Sequence, residues 1–143
     1  MGEGQRLVLR TDGASRGNPG HAAAGVVVEA DDGTVLATGK HYLGVMTNNQ
    51  AEYRALILGL KAVARYQPVA VRVYMDSELI VLQMTGQYRV KNEQLLPLYT
   101  EVRALAARLG QVTFTHVPRG GNALADRLAN EALNERAARE RGR

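Results

Sequence analysis

The sequence contains no cysteine and no tryptophan, and only 5% of its 143 residues are aromatic. The absence of cysteine excludes disulfide bonds and thiolate metal sites. No apolar run approaches the roughly 20 residues that a membrane-spanning helix needs. Residues 1–6 have neither the apolar segment of a signal peptide nor the Ser or Thr of a myristoylation motif. We therefore expect a cytoplasmic protein with no membrane contact.

The residues that are present suit one folded domain. Apolar residues make up 45% of the chain, enough for a core that buries roughly 68% of the surface of the unfolded chain. We expect a single domain over residues 1–143, with its core at about 6–134 and an Arg-rich tail at 135–143. The net charge of +4 permits a nucleic-acid partner but does not indicate one. Since no long heptad pattern stands out, we expect a monomer without an obligate protein partner.

Hydrophobic periodicity predicts the element order β-β-β-α-β-α-α-β-α. Strands are predicted at 6–11, 22–30, 34–43, 69–75 and 111–117, and helices at 48–65, 77–85, 95–109 and 122–138. The run Asp31-Asp32-Gly33 is typical of a hairpin turn, so the first strands should be antiparallel. The strand–helix–strand unit that follows implies parallel strands with a right-handed crossover. The fold class is therefore α/β, with a mixed five-stranded sheet flanked by helices on both faces.

Helix starts are also visible in the sequence. Thr47 and Gln50 match a capping box, in which each side chain bonds the backbone N–H of the other. Ser77 and Asn122 stand where the short helix and the last helix should begin, and both are residue types that cap helices. We therefore expect N-caps at these three positions.

The acidic residues point to one functional site. The chain has only five Asp, and two of them lie in the predicted hairpin turn. Asp12 and Asp76 each end a predicted apolar strand, and ligands of open α/β sheets bind beyond the carboxyl ends of strands. Glu52 and Asp126 lie in the first turns of predicted helices. For each residue alone, the alternative interpretation is a turn, a cap or a complement to the helix dipole.

Four carboxylates in one place would repel one another and raise the pKa of at least one of them. Such a cluster is retained chiefly where a divalent cation binds. Oxygen ligands without cysteine select Mg²⁺ or Mn²⁺ over Zn²⁺. Two such ions about 3.5–4 Å apart can hold the attacking and leaving oxygens of a phosphodiester. The acidic residues therefore favour metal-dependent phosphodiester chemistry.

A Gly-rich run follows the first predicted strand, over residues 12–20. It is not a nucleotide-binding P-loop, because no Gly-Lys-Ser/Thr follows and the next element is a strand. We interpret it as a tight loop whose backbone N–H groups and Asn18 approach a phosphate or a ribose. A turn without any ligand is the alternative.

Four motifs occur in order along the chain: TDGASRGNPG at 11–20, TNNQAE at 47–52, MDS at 75–77, and HVPR at 116–119 followed by Asn122 and ADRLAN at 125–130. Together they resemble the motifs of the ribonuclease H type 1 family, and the likeness covers about residues 6–134. The resemblance implies a ribonuclease H-like sheet whose first three strands are antiparallel and whose later strands are parallel. It also implies hydrolysis of the RNA strand of RNA–DNA hybrids, giving 5′-phosphate and 3′-hydroxyl ends.

The resemblance assigns catalytic and metal-binding roles to Asp12, Glu52, Asp76 and Asp126. In that scheme two ions, Mg²⁺ or Mn²⁺, bind in the catalytic complex, and Asp12 bridges both. Glu52 and Asp76 complete one ion site, and Asp126 completes the other. Glu52 also bonds the 2′-hydroxyl beside the scissile phosphate, the group by which a protein distinguishes RNA from DNA.

The resemblance also implies contacts with the substrate. Asn18, Asn48 and Gln83 would touch sugar or base edges in the minor groove of the hybrid. Thr47 and Asn92 would hold a phosphate of the DNA strand, which suits a residue at a helix N-terminus. The full set of substrate-binding residues implied by the resemblance is Gly13, Ser15, Asn18, Thr47, Asn48, Ser77, Gln83 and Asn92.

The sequence departs from the family pattern in two places. Many members carry a catalytic histidine in a flexible loop before the last carboxylate, but the loop here is short and contains Arg119 instead. We interpret Arg119 as the replacement, acting on phosphate or on product release because Arg is not a base near neutral pH. His116 lies within a predicted strand and is interpreted as structural. The stretch from Asp76 to Val90 is too short for the basic protrusion of some members, so affinity should be modest and strongly salt-dependent.

Two further questions stay open on the sequence alone. The short variant is similar to a subgroup in which double-stranded RNA is a second substrate, since that duplex offers 2′-hydroxyls on both strands. The alternative to an enzyme is a non-catalytic hybrid-binding module, which is expected to have lost at least one of the four carboxylates. Another nuclease built on the same sheet is disfavoured by the TNNQAE motif.

Overall fold

The computed structural model describes residues 4–142, and its elements follow the predicted order. The strands are β1 (Arg6–Gly17), β2 (Gly20–Ala30), β3 (Val35–Met46), β4 (Ala70–Met75) and β5 (Gln111–His116). The helices are α1 (Asn48–Ala64), α2 (Glu78–Met84), α3 (Leu96–Ala107) and α4 (Ala123–Arg141), the last preceded by a 3₁₀ turn (Arg119–Asn122). Within residues 4–142, no helix is both long and apolar enough to cross a bilayer.

The five strands form one mixed sheet in the order β3-β2-β1-β4-β5. β2 pairs antiparallel with β1 and β3, and β4 pairs parallel with β1 and β5. This arrangement confirms the predicted fold class, in which the hairpins give the antiparallel half and the crossovers give the parallel half.

Helices cover the two faces of the sheet, as predicted. On one face, Leu9 of β1 and Val26 of β2 lie in the main core cluster with Leu56 of α1. On the other face, Val27 packs with Ala125 of α4. Because successive side chains of a strand point to opposite faces, Val26 and Val27 serve the two layers in turn. The carboxyl end of the parallel half therefore lies between α1 and α4.

Two glycines allow the helices to approach the sheet closely. A Cβ at Gly25 would lie 2.0 Å from the carbonyl oxygen of Ala125, so α4 rests directly on β2. A Cβ at Gly13 would lie 2.2 Å from the carbonyl carbon of Ala51, so the first turn of α1 rests on β1. Both contacts bring a helix that carries a predicted carboxylate against the central strands.

β1 is longer than the sequence predicts, and this corrects the interpretation of residues 12–20 as a loop. The strand runs on to Gly17, and Asp12 pairs with Gly25 of β2 within it. Pairing with β4 ends earlier, at Arg10 opposite Tyr74. β1 therefore projects beyond the parallel half as a ribbon with β2. The same register, continued by two residues, places Asp12 level with Asp76.

The predicted helix caps have mixed outcomes. The capping box of Thr47 and Gln50 is confirmed, with N···O distances of 3.2 and 2.9 Å. The Ser77 hydroxyl accepts from the N–H of Ile80 at 3.4 Å, which confirms that cap. Asn122 occupies the N-cap position of α4, as predicted, but its side chain makes no capping hydrogen bond. Its Nδ2 instead donates to the carbonyl of Thr11 in β1 at 2.8 Å.

The last helix extends further than predicted, through Arg141 rather than 138. The Arg-rich tail predicted at 135–143 is thus helical over most of its length. Arg143, the last residue of that tail, lies outside the described residues, as do residues 1–3 of the predicted domain.

Candidate active site

Three carboxylates from separate elements meet at the carboxyl end of the parallel strands. Asp12 lies in β1, Glu52 in the first turns of α1, and Asp76 directly follows β4. Each offers one carboxylate oxygen, and these oxygens all lie within 4.8 Å of one another. Asp12 and Glu52 are each only 5% exposed, and Asp76 is half-buried. The long-range register of the sheet therefore builds the cluster expected from the positions of these residues.

Glu52 is held in place by the backbone of β1. The N–H of Gly13 donates to Glu52 Oε1 at 2.9 Å, in a buried position. Only a residue without a side chain allows this approach, because a Cβ at Gly13 would collide with the backbone of Ala51 and Glu52. The strand and the helix are thus joined at the residue that follows Asp12.

Asp126 lies on the opposite helix layer, in the first turn of α4, with its side chain 31% exposed. Asn130 Nδ2 donates to the Asp126 carbonyl at 3.0 Å and approaches Asp126 Oδ1 at 3.4 Å. The guanidinium of Arg119 lies 4.0 Å from Asp126 Oδ1, and its side chain is 83% exposed. Asp126 therefore faces the cluster with an exposed cation beside it.

Burial and mutual repulsion dominate the electrostatics of the cluster. Burial, followed by the charges of Glu52 and Asp76 and a hydrogen bond with Asp126, raises the pKa of Asp12 to about 9. Burial also raises the pKa of Glu52 to about 8, even though the Gly13 N–H lowers it. Metal-free protein therefore binds protons in the cluster at neutral pH.

The donor set fits a hard divalent cation. All ligand atoms are carboxylate oxygens, which Mg²⁺ and Mn²⁺ prefer. A bound cation would offset the repulsion between the carboxylates, which raises the pKa values of Asp12 and Glu52. In the absence of a cation, bound protons offset the same repulsion. Asp12, Glu52 and Asp76 would be its ligands, with Asp126 on the opposite side.

The carboxylates lie at one end of an open cleft of about 450 Å³. The cleft also contains five other residues predicted for the site, namely Gly13, Ser15, Asn48, Ser77 and Arg119. Its lining includes two polar residues that the sequence analysis did not single out, Arg16 and Asn130. Alternation along a longer β1 would have placed Arg16 on the face of Asp12, and helical spacing places Asn130 one turn after Asp126.

Asn18 and Thr47 do not line the cleft, and their side chains have partners within the fold. Asn18 Oδ1 accepts from the N–H of Asn48 at 3.0 Å, which ties the β1–β2 hairpin to the start of α1. Thr47 caps α1. These two residues support the element that carries Asn48 and Glu52.

Gln83 and Asn92 do not line the cleft either. Gln83 is only 5% exposed, and its Oε1 accepts from the hydroxyl of Tyr53 at 2.5 Å. Asn92 Oδ1 accepts from the N–H groups of Gln94 and Leu95, at 2.7 and 3.2 Å, just before α3. Burial leaves Gln83 little surface for a base edge, so its placement does not support the predicted contact.

His116 is the last residue of β5 and is exposed. It is not among the residues that line the cleft. Arg119 of the 3₁₀ turn that precedes α4 does line the cleft, beside Asp126.

Comparisons with known proteins match most of the chain. The family model described as reverse transcriptase-like matches residues 10–132. A protein of Mycobacterium tuberculosis named as bifunctional is 47% identical over 133 residues, which are 92% of this chain and 36% of that protein. The chain thus spans about a third of the length of this mycobacterial relative.

Two solved structures cover nearly all of the chain. RNase H1 of Halobacterium salinarum is 42% identical, with a TM-score of 0.88 over 91% of this chain and 98% of that one. LC11-RNase H1, solved in complex with an RNA/DNA hybrid, is 39% identical, with a TM-score of 0.88 over 92% of this chain and 99% of that one.

Proposed function

The chain belongs to the ribonuclease H family, and from this premise we propose that it hydrolyses the RNA strand of RNA–DNA hybrids. The observation that carries the proposal is the convergence of Asp12, Glu52 and Asp76 within 4.8 Å, beside Asp126, in an open cleft. A relative that is 39% identical has been solved with an RNA/DNA hybrid, which supports the substrate class. All four carboxylates are present, which disfavours a non-catalytic binding module.

We propose two divalent ions, Mg²⁺ or Mn²⁺, as the cofactors. Asp12, Glu52, Asp76 and Asp126 would be the ligands of the two ions. Asp12 lies on β1, the strand between β2 and β4, and is the residue that would bind both ions. When bound, the ions supply the Lewis acidity that hydrolysis of a phosphodiester requires. The reaction breaks the bond between phosphorus and the 3′ oxygen, so the products carry 5′-phosphate and 3′-hydroxyl ends.

The chain's own residues would select and orient the RNA strand. The Gly13 N–H fixes the Glu52 carboxylate, which we propose accepts a hydrogen bond from the 2′-hydroxyl beside the scissile phosphate. Ser15, Asn48 and Ser77 line the same cleft. Asn48 and Ser77 offer donors to the sugar–phosphate backbone, whereas the Ser15 hydroxyl donates to the carbonyls of Gly17 and Met46 and offers its oxygen as an acceptor. The resemblance also implies substrate contacts at four other residues. We propose that these residues mainly hold the elements around the cleft in place: Asn18, Thr47, Gln83 and Asn92.

Arg119 is proposed to bind phosphate and to assist product release. Replacing it with Ala should lower kcat by about tenfold, the size expected for one lost hydrogen bond to a charged group. The shape of the pH–rate profile should not change, because Arg stays charged throughout. Steady-state kinetics measure both quantities, and Arg119→Lys should recover part of kcat.

Arg127→Ala is the matched control for Arg119. Arg127 is an exposed cation on α4 that is paired with Glu131 and does not line the cleft. Equal rates for Arg119→Ala and the control would contradict the proposed role of Arg119. Loss of one limb of the pH profile in Arg119→Ala would also contradict it, since that would require a titrating group.

The direct test of the function is cleavage of an end-labelled RNA–DNA hybrid in Mg²⁺ or Mn²⁺. We expect metal-dependent cutting of the RNA strand, and products with 3′-hydroxyl ends that a polymerase extends. Double-stranded RNA in a parallel reaction decides whether that duplex is a second substrate. Folded protein that binds the hybrid but cuts it with neither ion would favour the binding module instead.

A further inference from the structure

The cleft continues beyond the carboxylates, between β1 and α4. Asp12, Ala14 and Arg16 alternate along β1 and so face the same layer. On α4, Asp126, Asn130 and Asn134 recur every four residues and form one polar stripe. Four strand residues at about 3.3 Å each place the Cα of Arg16 about 13 Å from that of Asp12. The cleft thus has an acidic end and a cationic end.

Arg16 is held at the cationic end by neutral acceptors. Its Nη2 lies 2.6 Å from Asn134 Oδ1 and 3.4 Å from both Asn130 Oδ1 and the Asn130 carbonyl. Within residues 4–142, its hydrogen-bond acceptors are all amide oxygens, and it takes part in no ion pair. Arg119, the other cation of the cleft, instead faces Asp126. The positive charge of Arg16 is therefore oriented but not neutralised.

We propose that Arg16 binds a backbone phosphate of the RNA strand, next in line to the phosphate held at the carboxylates. This inference rests on the proposed function and adds a specific substrate contact to it. The asparagines use only part of a guanidinium that carries five N–H donors, which leaves donors for phosphate oxygens. The RNA strand brings negative phosphates close to the carboxylates at one end of the cleft. The positive charge of Arg16 would attract a phosphate of the same strand at the other end. Asn130 connects the two ends, since it contacts both Arg16 and Asp126.

The test separates the charge of Arg16 from its contribution to the fold. Arg16→Gln removes the charge and keeps a hydrogen-bond donor, and Arg16→Lys keeps the charge. Arg65→Gln is the matched control, because Arg65 is an exposed cation at the C-terminal end of α1 and does not line the cleft. Hybrid affinity is measured in Ca²⁺ with the RNA strand checked for integrity, and at several salt concentrations.

We expect Arg16→Gln to weaken hybrid binding by about tenfold, the size of one charge-assisted contact. The slope of log K against log salt should fall in magnitude by about 0.7–0.9, the value for one lost phosphate contact. Arg16→Lys should keep the slope, and Arg65→Gln should match the wild type in both quantities. The melting temperature should stay unchanged in all three variants.

A chemical counterpart locates the phosphate. Single neutral methylphosphonate linkages are placed at successive positions of the RNA strand, and binding is measured for each duplex. At one position beside the scissile linkage, wild-type binding should fall while Arg16→Gln binding does not fall further. Such non-additivity is the signature of a direct contact.

The outcomes distinguish a failure of the proposed Arg16 contact from a failure of the proposed function. If the wild type cuts hybrids but Arg16→Gln behaves like Arg65→Gln, Arg16 only braces the hairpin against α4, and the inference is overturned alone. If the wild type neither binds nor cuts hybrids, the proposed function is overturned and the inference with it. Should Arg16→Gln not fold, Arg16→Met keeps the apolar stem and replaces it in both measurements.

Discussion

Replacing Asp12 with Asn is expected to abolish metal-dependent cleavage and, at the same time, to stabilise the metal-free protein. Asp12 is buried beside Glu52 and Asp76, and its pKa is raised to about 9. Asn preserves the shape of the side chain but carries no charge, so folding no longer requires a proton to be taken up at this position, and Asn cannot serve as an anionic ligand. We expect cleavage to fall at least about 10³-fold. In EDTA at pH 8, the free energy of unfolding should rise by about 2 kcal/mol.

The control is Asp32→Asn, in the exposed turn between β2 and β3. A hydrogen bond from the Thr34 N–H lowers the pKa of Asp32, the opposite direction to Asp12. This variant should cleave as well as the wild type and should not gain stability. Cleavage assays and melting curves in EDTA measure both effects. An unchanged or lower melting temperature for Asp12→Asn would argue against a tight carboxylate cluster.

Metal-free protein is expected to lose stability as the pH rises from 5 to 9. The pKa values of Asp12 and Glu52 are raised to about 9 and about 8, from ordinary values of 3.8 and 4.5. Below about pH 4, the carboxyl groups of Asp12 and Glu52 are protonated in both the folded and the unfolded chain, so their titration favours neither state. Above pH 4, the unfolded chain releases them while the folded chain retains them, so each pH increment favours unfolding until the folded pKa values are passed. We expect a loss of about 2–4 kcal/mol over this range.

Urea denaturation at a series of pH values, in EDTA and in saturating Mg²⁺, measures this dependence. Mg²⁺ should flatten the profile, because a cation that binds only the folded state replaces the protons and adds its own binding free energy. Asp12→Asn in EDTA should flatten it in part, leaving the contribution of Glu52. An EDTA profile that is level in the wild type, or equally steep in Asp12→Asn, would contradict the coupling of the two buried carboxyl groups.

The sequence alone determined the architecture and the chemistry of the site. The apolar run of β2, the turn after it and the capping box at Thr47 are local patterns, and such patterns report where elements begin and end and which residues are buried. The chemistry was equally accessible, because few side chains other than carboxylates can bind hard cations and the chain has few aspartates. Asp12, Glu52 and Asp76 could therefore be placed at the end of the sheet before their distances were known.

The tertiary structure alone decided how far β1 runs, and with it the shape of the cleft. Asp12 lies within a strand, because β2 continues to pair with β1 after β4 has ended. Arg16 reaches Asn130 because α4 rests on Gly25 of β2. That contact joins Gly25 to Ala125, two residues that are 100 positions apart in the sequence. The burial of Gln83 under Tyr53 depends in the same way on how α2 packs against α1. Such placements follow from contacts between distant segments, and hydrophobic periodicity carries no information about them because it is read over a few residues at a time.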